Sequence, residues 1–177
     1  MLRKILLAGF IVILFGCSKH NSKPDLVYDV PDEFGYIVNN FIHEAALRGH
    51  NITIKYLIIR YDSTLDNSFC AQSNVISTDP DIQKIISVNS NVQCWTNDAE
   101  LETLIFHELG HCVLGRTHDD ELMPNHDPRS IMIENNLNLY SPCAYPLGGS
   151  CQDNSFKRSY YLSELFDKNT PIPDWAK

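Results

Sequence analysis

The chain has 177 residues and a formal net charge of −8, from 14 Lys and Arg against 22 Asp and Glu, and 44% of it is apolar. That length suits one domain with a real core. The acidic balance argues against nucleic acid as a partner and against electrostatic adhesion to anionic lipid.

The first 16 residues read as a segment outside the fold. Arg3 and Lys4 form a positive start, residues 5–15 an apolar run, and Leu14-Phe15-Gly16-Cys17 a small-residue cleavage site ending in cysteine. The run is too short for a comfortable transmembrane helix. The pattern resembles a bacterial lipoprotein signal, which implies that Cys17 becomes the first residue and carries the acyl chains. The alternative is an ordinary secretory signal in which Cys17 is incidental. On the lipoprotein reading, 1–16 is the signal peptide, 17–30 the lipidated cysteine and a polar tether, and 31–177 the folded domain. The signal has two basic and no acidic residues, so the remainder is more acidic than the whole chain. The expected location is the bacterial cell envelope, anchored through Cys17 and facing the periplasm or the cell surface.

Residues 31–49 predict a helix, with Pro31 near its first turn, Gly49 as its stop, and Phe34, Ile37, Val38, Phe41, Ile42 and Ala45 as its apolar stripe. His43 and His50 fall off that stripe and read as surface residues. Residues 52–61 are β-rich and largely apolar, suiting a buried strand. A loop follows over 62–69, then two short strands over 74–77 and 82–88 around the turn Thr78-Asp79-Pro80-Asp81. The second of these is expected at a sheet edge, where it would accept an extended peptide by β-augmentation.

Residues 98–114 predict the central helix, with Thr96 or Asn97 as N-cap and acidic residues in the first turn. Leu101, Leu104, Ile105, Leu109 and Cys112 give it a broad apolar face. Within it, His107 and His111 are four apart and so lie one turn apart on one face, as two imidazoles must to share a zinc ion. Glu108 between them is set to the side of that face, where a carboxylate is able to act on a water that the zinc activates. Gly115 is able to end the helix in a left-handed turn, so that the chain doubles back and delivers His118 as a third ligand. Three protein ligands leave a fourth position for water, the arrangement of a catalytic rather than a structural site.

Residues 118–128 form a loop dense in Asp, Pro and Asn. Its acidic residues are able to bind Ca2+, but no ordered ligand spacing supports this, and a solvated acidic loop is the simpler account. Residues 155–167 predict a closing helix with Phe156, Tyr160, Leu165 and Phe166 inward, followed by a tail over 171–177. Cys112 beside His111 reads as a small buried apolar residue rather than a nucleophile or ligand. Of the three pairings open to Cys70, Cys94, Cys143 and Cys151, the local one is Cys70–Cys94 with Cys143–Cys151, each closing a short loop in an oxidising compartment.

With these residues in view, the chain resembles the zincin metallopeptidases, and among them the metzincins, whose pattern is HExxHxxGxxH followed by a Met-containing turn beneath the zinc. Met132, in Ser130-Ile131-Met132, resembles the methionine of that turn, and Asp119 resembles an aspartate that supports the turn around the third ligand in some members. The resemblance covers roughly residues 101–132. It departs at one point: Gly115 and His118 stand eight and eleven residues after His107, where the family places them at seven and ten. The helix must therefore run one residue longer or loosen at its end. His126 is the next candidate ligand, and Glu134 would be the third ligand of a glutamate-type zincin, although the segment around it is a poor helix.

The resemblance implies an α+β, zincin-like domain in which a small mixed sheet packs on the active-site helix. It implies one catalytic Zn2+ held by His107, His111 and His118, with Glu108 as general base. Residues 133–140 would shape the pocket beyond the scissile bond, and Tyr140 reads first as a structural tyrosine, with assistance to the oxyanion as the alternative. The expected activity is a monomeric, membrane-anchored endopeptidase acting on protein or peptide substrates. The rival is a non-catalytic surface lipoprotein that binds a protein or glycan and uses zinc only to stabilise its fold.

Overall fold

The computed structural model describes residues 25–135, 137–142 and 152–177. The stretch read as a signal at 1–16, Cys17 as the expected lipid site and the expected pair Cys143–Cys151 lie outside the described residues. The architecture is α+β, with three α-helices and one three-stranded mixed sheet among the described residues. The elements run α1 (Asp32–Leu47), β1 (Leu57–Asp62), β2 (Ala71–Ser73), β3 (Lys84–Asn89), α2 (Asp98–Cys112) and α3 (Arg158–Phe166). Short 3-10 turns stand at Ser155–Lys157 and Asp174–Ala176.

Pro31 caps α1, and Asp32 and Glu33 in the first turn meet the positive end of the helix dipole. Phe34, Ile37, Val38, Phe41 and Ala45 are fully buried, as the stripe requires, while His43 and His50 are exposed. The helix stops at Gly49, φ +81°, with His50 N–H donating to Ala45 C=O and Gly49 N–H to Ala46 C=O. These are the paired bonds of a Schellman stop. Phe41 then meets Phe106 of α2 edge-on at 5.2 Å and Phe166 of α3 at 5.2 Å, so one ring joins all three helices. Burying such a side chain contributes about 1.5–3 kcal/mol.

Polar groups fix the same junction. Arg158 of α3 grips Glu102 of α2 through Nε and Nη2 at 2.7 and 3.0 Å, and Glu44 of α1 through Nη1 at 2.7 Å. The fork geometry of guanidinium on carboxylate sets the helix positions as well as pairing their charges.

The strand order is β1-β3-β2, with β1 parallel and β2 antiparallel to β3. This overturns the expectation that the strand over 82–88 is an edge: β3 is central, and the edge beside α2 is β2. A short apolar run has the same pattern at the edge or in the middle, and β2 has only three residues to signal itself. The expected strand over 74–77 is absent too. Asn74 closes the ladder instead, its Oδ1 accepting from Ile85 N–H at 2.7 Å and its own N–H donating to Ile85 C=O at 2.9 Å. The chain then leaves the sheet, and Ser77 N–H donates to His111 C=O at 3.1 Å. Of the strand read over 52–61, residues 57–61 join the ladder.

Leu57, Ile59, Ile86 and Val88 form the sheet's buried face. The disulfide Cys70–Cys94 ties the start of β2 to the segment entering α2. One inward assignment fails at the C-terminus: Phe156 is exposed and packs edge-on against Trp175, because its turn is 3-10 and faces away from the core. No helix among the described residues is long and apolar enough to cross a membrane.

Candidate metal centre

The helix that carries the site is fastened at both ends. Asn97 is its N-cap, its side-chain oxygen accepting from Ala99 N–H and Glu100 N–H at 3.0 and 3.1 Å. Glu100 reaches back to accept from Thr96 N–H at 2.6 Å, in the manner of a capping box. From Thr103 to Cys112 every residue is buried.

The far end shows how the extra residue before Gly115 is absorbed. Gly115 has φ +65°, as a left-handed stop requires. Yet Arg116 N–H donates to Gly110 C=O and Gly115 N–H to His111 C=O. Each bond spans one residue more than its counterpart at the end of α1, where His50 pairs with Ala45 and Gly49 with Ala46. The last turn is widened rather than prolonged, and α2 still ends at Cys112. That widened turn brings His118 back over the helix face.

His107, His111 and His118 converge. Their candidate ligand atoms all lie within 4.8 Å of one another, and the ring centroids are 4.7, 4.8 and 5.2 Å apart. The first two rings are buried and the third is exposed. His107 Nδ1 donates to Ile131 C=O at 2.9 Å and His111 Nδ1 to Arg116 C=O at 2.7 Å. A carbonyl only accepts, so both Nδ1 atoms carry hydrogen, and each neutral ring presents a lone pair at Nε2. Those two Nε2 atoms are 3.0 Å apart.

Two lone pairs at that distance repel unless a cation lies between them. Tetrahedral zinc with Zn–N bonds of 2.0–2.1 Å would hold its nitrogens about 3.3 Å apart. The donor set and the spacing therefore fit a metal ion, which His107, His111 and His118 are placed to hold. Burial also pushes His107 down to about 4 and lowers His111, which keeps both imidazoles neutral and able to bind a cation at neutral pH.

Glu108 sits beside these ligands with one carboxylate oxygen, Oε2, buried and without a hydrogen-bond partner among the described residues. Burial pushes its carboxyl up to about 7, against the opposing influence of the Ser73 N–H and hydroxyl. A carboxylate at that value is poised to take up and release a proton near neutrality.

These side chains open on a cleft of about 750 Å3. Ala71, Gln72 and Ser73 of β2 form one wall, and Ile133, Glu134 and Leu137 another. Part of the segment expected to shape the pocket does so. Tyr140 does not: it is buried, and its hydroxyl donates to Glu102 at 3.1 Å in the helix junction, away from the cleft lining. The oxyanion role is thereby set aside and the structural one holds.

Met132 is fully buried beneath the helix, its sulfur against Gly110. Asp119 closes the loop after His118, its N–H donating to Met132 C=O at 3.0 Å and its carboxylate accepting from Glu121 N–H at 3.2 Å. His126 is exposed at φ 68° and Glu134 is exposed at the cleft wall; neither belongs to the three-histidine group. Cys112 is buried and free, and burial pushes its thiol up to about 12, which keeps it protonated and inert.

Gly110 was legible only as a glycine inside a helix, normally a cost of about 1 kcal/mol against alanine and so a hint of close packing. Ser73 and Glu164 carried no such mark. No family model matches this chain, and no curated protein or solved structure matches it significantly.

Proposed function

We propose that this chain is a zinc-dependent endopeptidase of the metzincin type, anchored to the bacterial cell envelope through Cys17. The observation that carries the reading is the buried Glu108 carboxylate, with its Oε2 lacking a partner among the described residues, beside three converging histidines at an open cleft. A structural metal site gains nothing from a carboxylate oxygen left without a partner at that position, which weighs against the non-catalytic alternative. When bound, zinc supplies Lewis acidity for the scissile carbonyl and its water.

The rest falls to the chain's own residues. His107, His111 and His118 hold the ion, and Glu108 takes a proton from the attacking water and returns it to the leaving amine. Edge strand β2 is the element suited to align an extended peptide, since its outer backbone groups face no fourth strand in the described sheet. The disulfide Cys70–Cys94 supports an oxidising compartment outside the cytoplasm.

The test is digestion of a diverse peptide library, read by mass spectrometry, with metal content measured on the same samples. The wild-type chain should cleave and a chelator should stop it. Glu108→Ala should lose about 10²–10⁴-fold in rate, the range for a general base, while retaining its zinc. A Glu108→Ala chain that cleaved at the wild-type rate would refute the mechanism. A zinc-loaded wild-type chain that cleaved nothing would favour the partner-binding alternative.

A further inference from the structure

We infer that Glu164, on α3 and outside the cleft, is a positioning residue that sets the orientation of two of the three histidines. The inference rests on the metal-site reading for its purpose, but on the protein's own hydrogen bonds for its content. Glu164 is 1% exposed, and its two carboxylate oxygens go separate ways. Oε1 accepts from Arg116 Nη2 at 2.6 Å, and Oε2 accepts from the Ser130 hydroxyl at 2.6 Å.

Each of those partners belongs to a segment that orients one imidazole. Arg116 supplies the carbonyl that accepts from His111 Nδ1. Its guanidinium also donates to the C=O groups of Glu164 and Leu165, both at 2.9 Å, which pins the widened turn to the end of α3. Ser130 adjoins Ile131, whose carbonyl accepts from His107 Nδ1. The Ser130 oxygen further accepts from Met132 N–H at 3.0 Å, so the hydroxyl braces Ile131 from both sides. One carboxylate thus holds both carbonyls on which the tautomers of His107 and His111 depend.

A buried ion pair is weak evidence for stability, because apolar residues of similar volume often stabilise as well. What apolar residues lack is direction. Two charge-assisted hydrogen bonds from one rigid carboxylate fix two separate backbone segments relative to each other. Such orienting partners are where metal sites gain affinity and geometry.

The experiment measures exchange of the imidazole Nδ1 hydrogens by nitrogen-15 NMR in the full-length chain, with zinc affinity by chelator competition and the visible spectrum of the cobalt-substituted protein. Arg116 Nη2 also donates to Ser130 Oγ at 3.4 Å. Ser130→Ala should therefore speed exchange more at His107 than at His111, and Arg116→Met more at His111 than at His107, each by at least about tenfold at the favoured ring as local protection is lost. Glu164→Gln, with one acceptor oxygen and no charge, should speed both, weaken zinc by roughly 10–100-fold and alter the cobalt spectrum. A merely structural role would move both rings equally in every variant, and that result, or unchanged exchange in all three, overturns the inference. If Glu164→Gln does not fold, the two selective variants decide it. A wild-type chain that binds no zinc refutes the peptidase reading instead, and the exchange pattern still decides this one.

Discussion

Met132 Sδ stands where a side chain on Gly110 would begin: a β-carbon there would come within 2.5 Å of the sulfur and 3.2 Å of Leu165 Cδ1. Gly110 immediately precedes His111 on the helix, and Met132 follows Ile131, whose carbonyl orients His107. Alanine is the better helix former by about 1 kcal/mol, yet Met132 is fully buried and its sulfur would have to shift to admit the new atom. Gly110→Ala should therefore destabilise by about 1–3 kcal/mol, the range for overpacking. Met132→Ala in the same chain should relieve part of that cost, giving a coupling visible in a double-mutant cycle by urea denaturation. Equal or greater stability of Gly110→Ala would show that the sulfur does not fill that space.

The third ligand is the next point to test. His118→Ala should weaken zinc by more than the roughly 10–100-fold that loss of an orienting partner costs, whereas His126→Ala and Glu134→Ala should leave affinity unchanged. Gly115→Ala should act in the same direction as His118→Ala but less strongly. Its φ of +65° penalises any β-carbon, and Thr78 Cγ2 would lie 3.0 Å from the new atom. Chelator competition on the four proteins reads all of this. Affinity lost in Glu134→Ala and kept in His118→Ala would assign the shell the other way.

Acid should loosen the helix junction through Glu44. Burial pushes its carboxyl up, but the hydrogen bonds and charges of Arg158 and Arg48 outweigh this and hold it below its ordinary value of 4.5. The unfolded chain then takes up a proton at a higher pH than the folded one does. The stabilisation is fully present above about pH 4.5 and is lost as pH falls through the folded value. Glu44→Gln should cost about 1.5–3 kcal/mol at neutral pH, the range for a hydrogen bond to a charged group. The gap between wild type and variant should close on acidification. Denaturation of both proteins from pH 7 to pH 3 measures it, and a gap that stayed constant would exclude the pairing as its source.

How far the sequence reaches can be judged on single residues. A cap at Thr96 or Asn97, the stripe from Phe34 to Ala45 and the pair His107 and His111 were legible because each expresses a repeat or a cap contained within one element; the structure chose Asn97. The Cys70–Cys94 pairing was legible as the shorter closure, and it forms. The place of β3 was not legible, because edge and central strands of this length share one pattern. Tyr140 was unassignable for a similar reason. Its partner Glu102 lies on α2, 38 residues away along the chain, and only packing makes that choice.

The sequence by itself determined the histidine pair on one helix face, the carboxylate between them and the need for a turn at Gly115, since each follows from helical period and backbone sterics. Only the tertiary structure decided how the extra residue is taken up, through a turn one residue wider than the one that ends α1. It also decided what aims the imidazoles, through carbonyls of Arg116 and Ile131 tied to Glu164 on a distant helix. Those contacts join segments far apart in the chain, and no local periodicity records which of them meet.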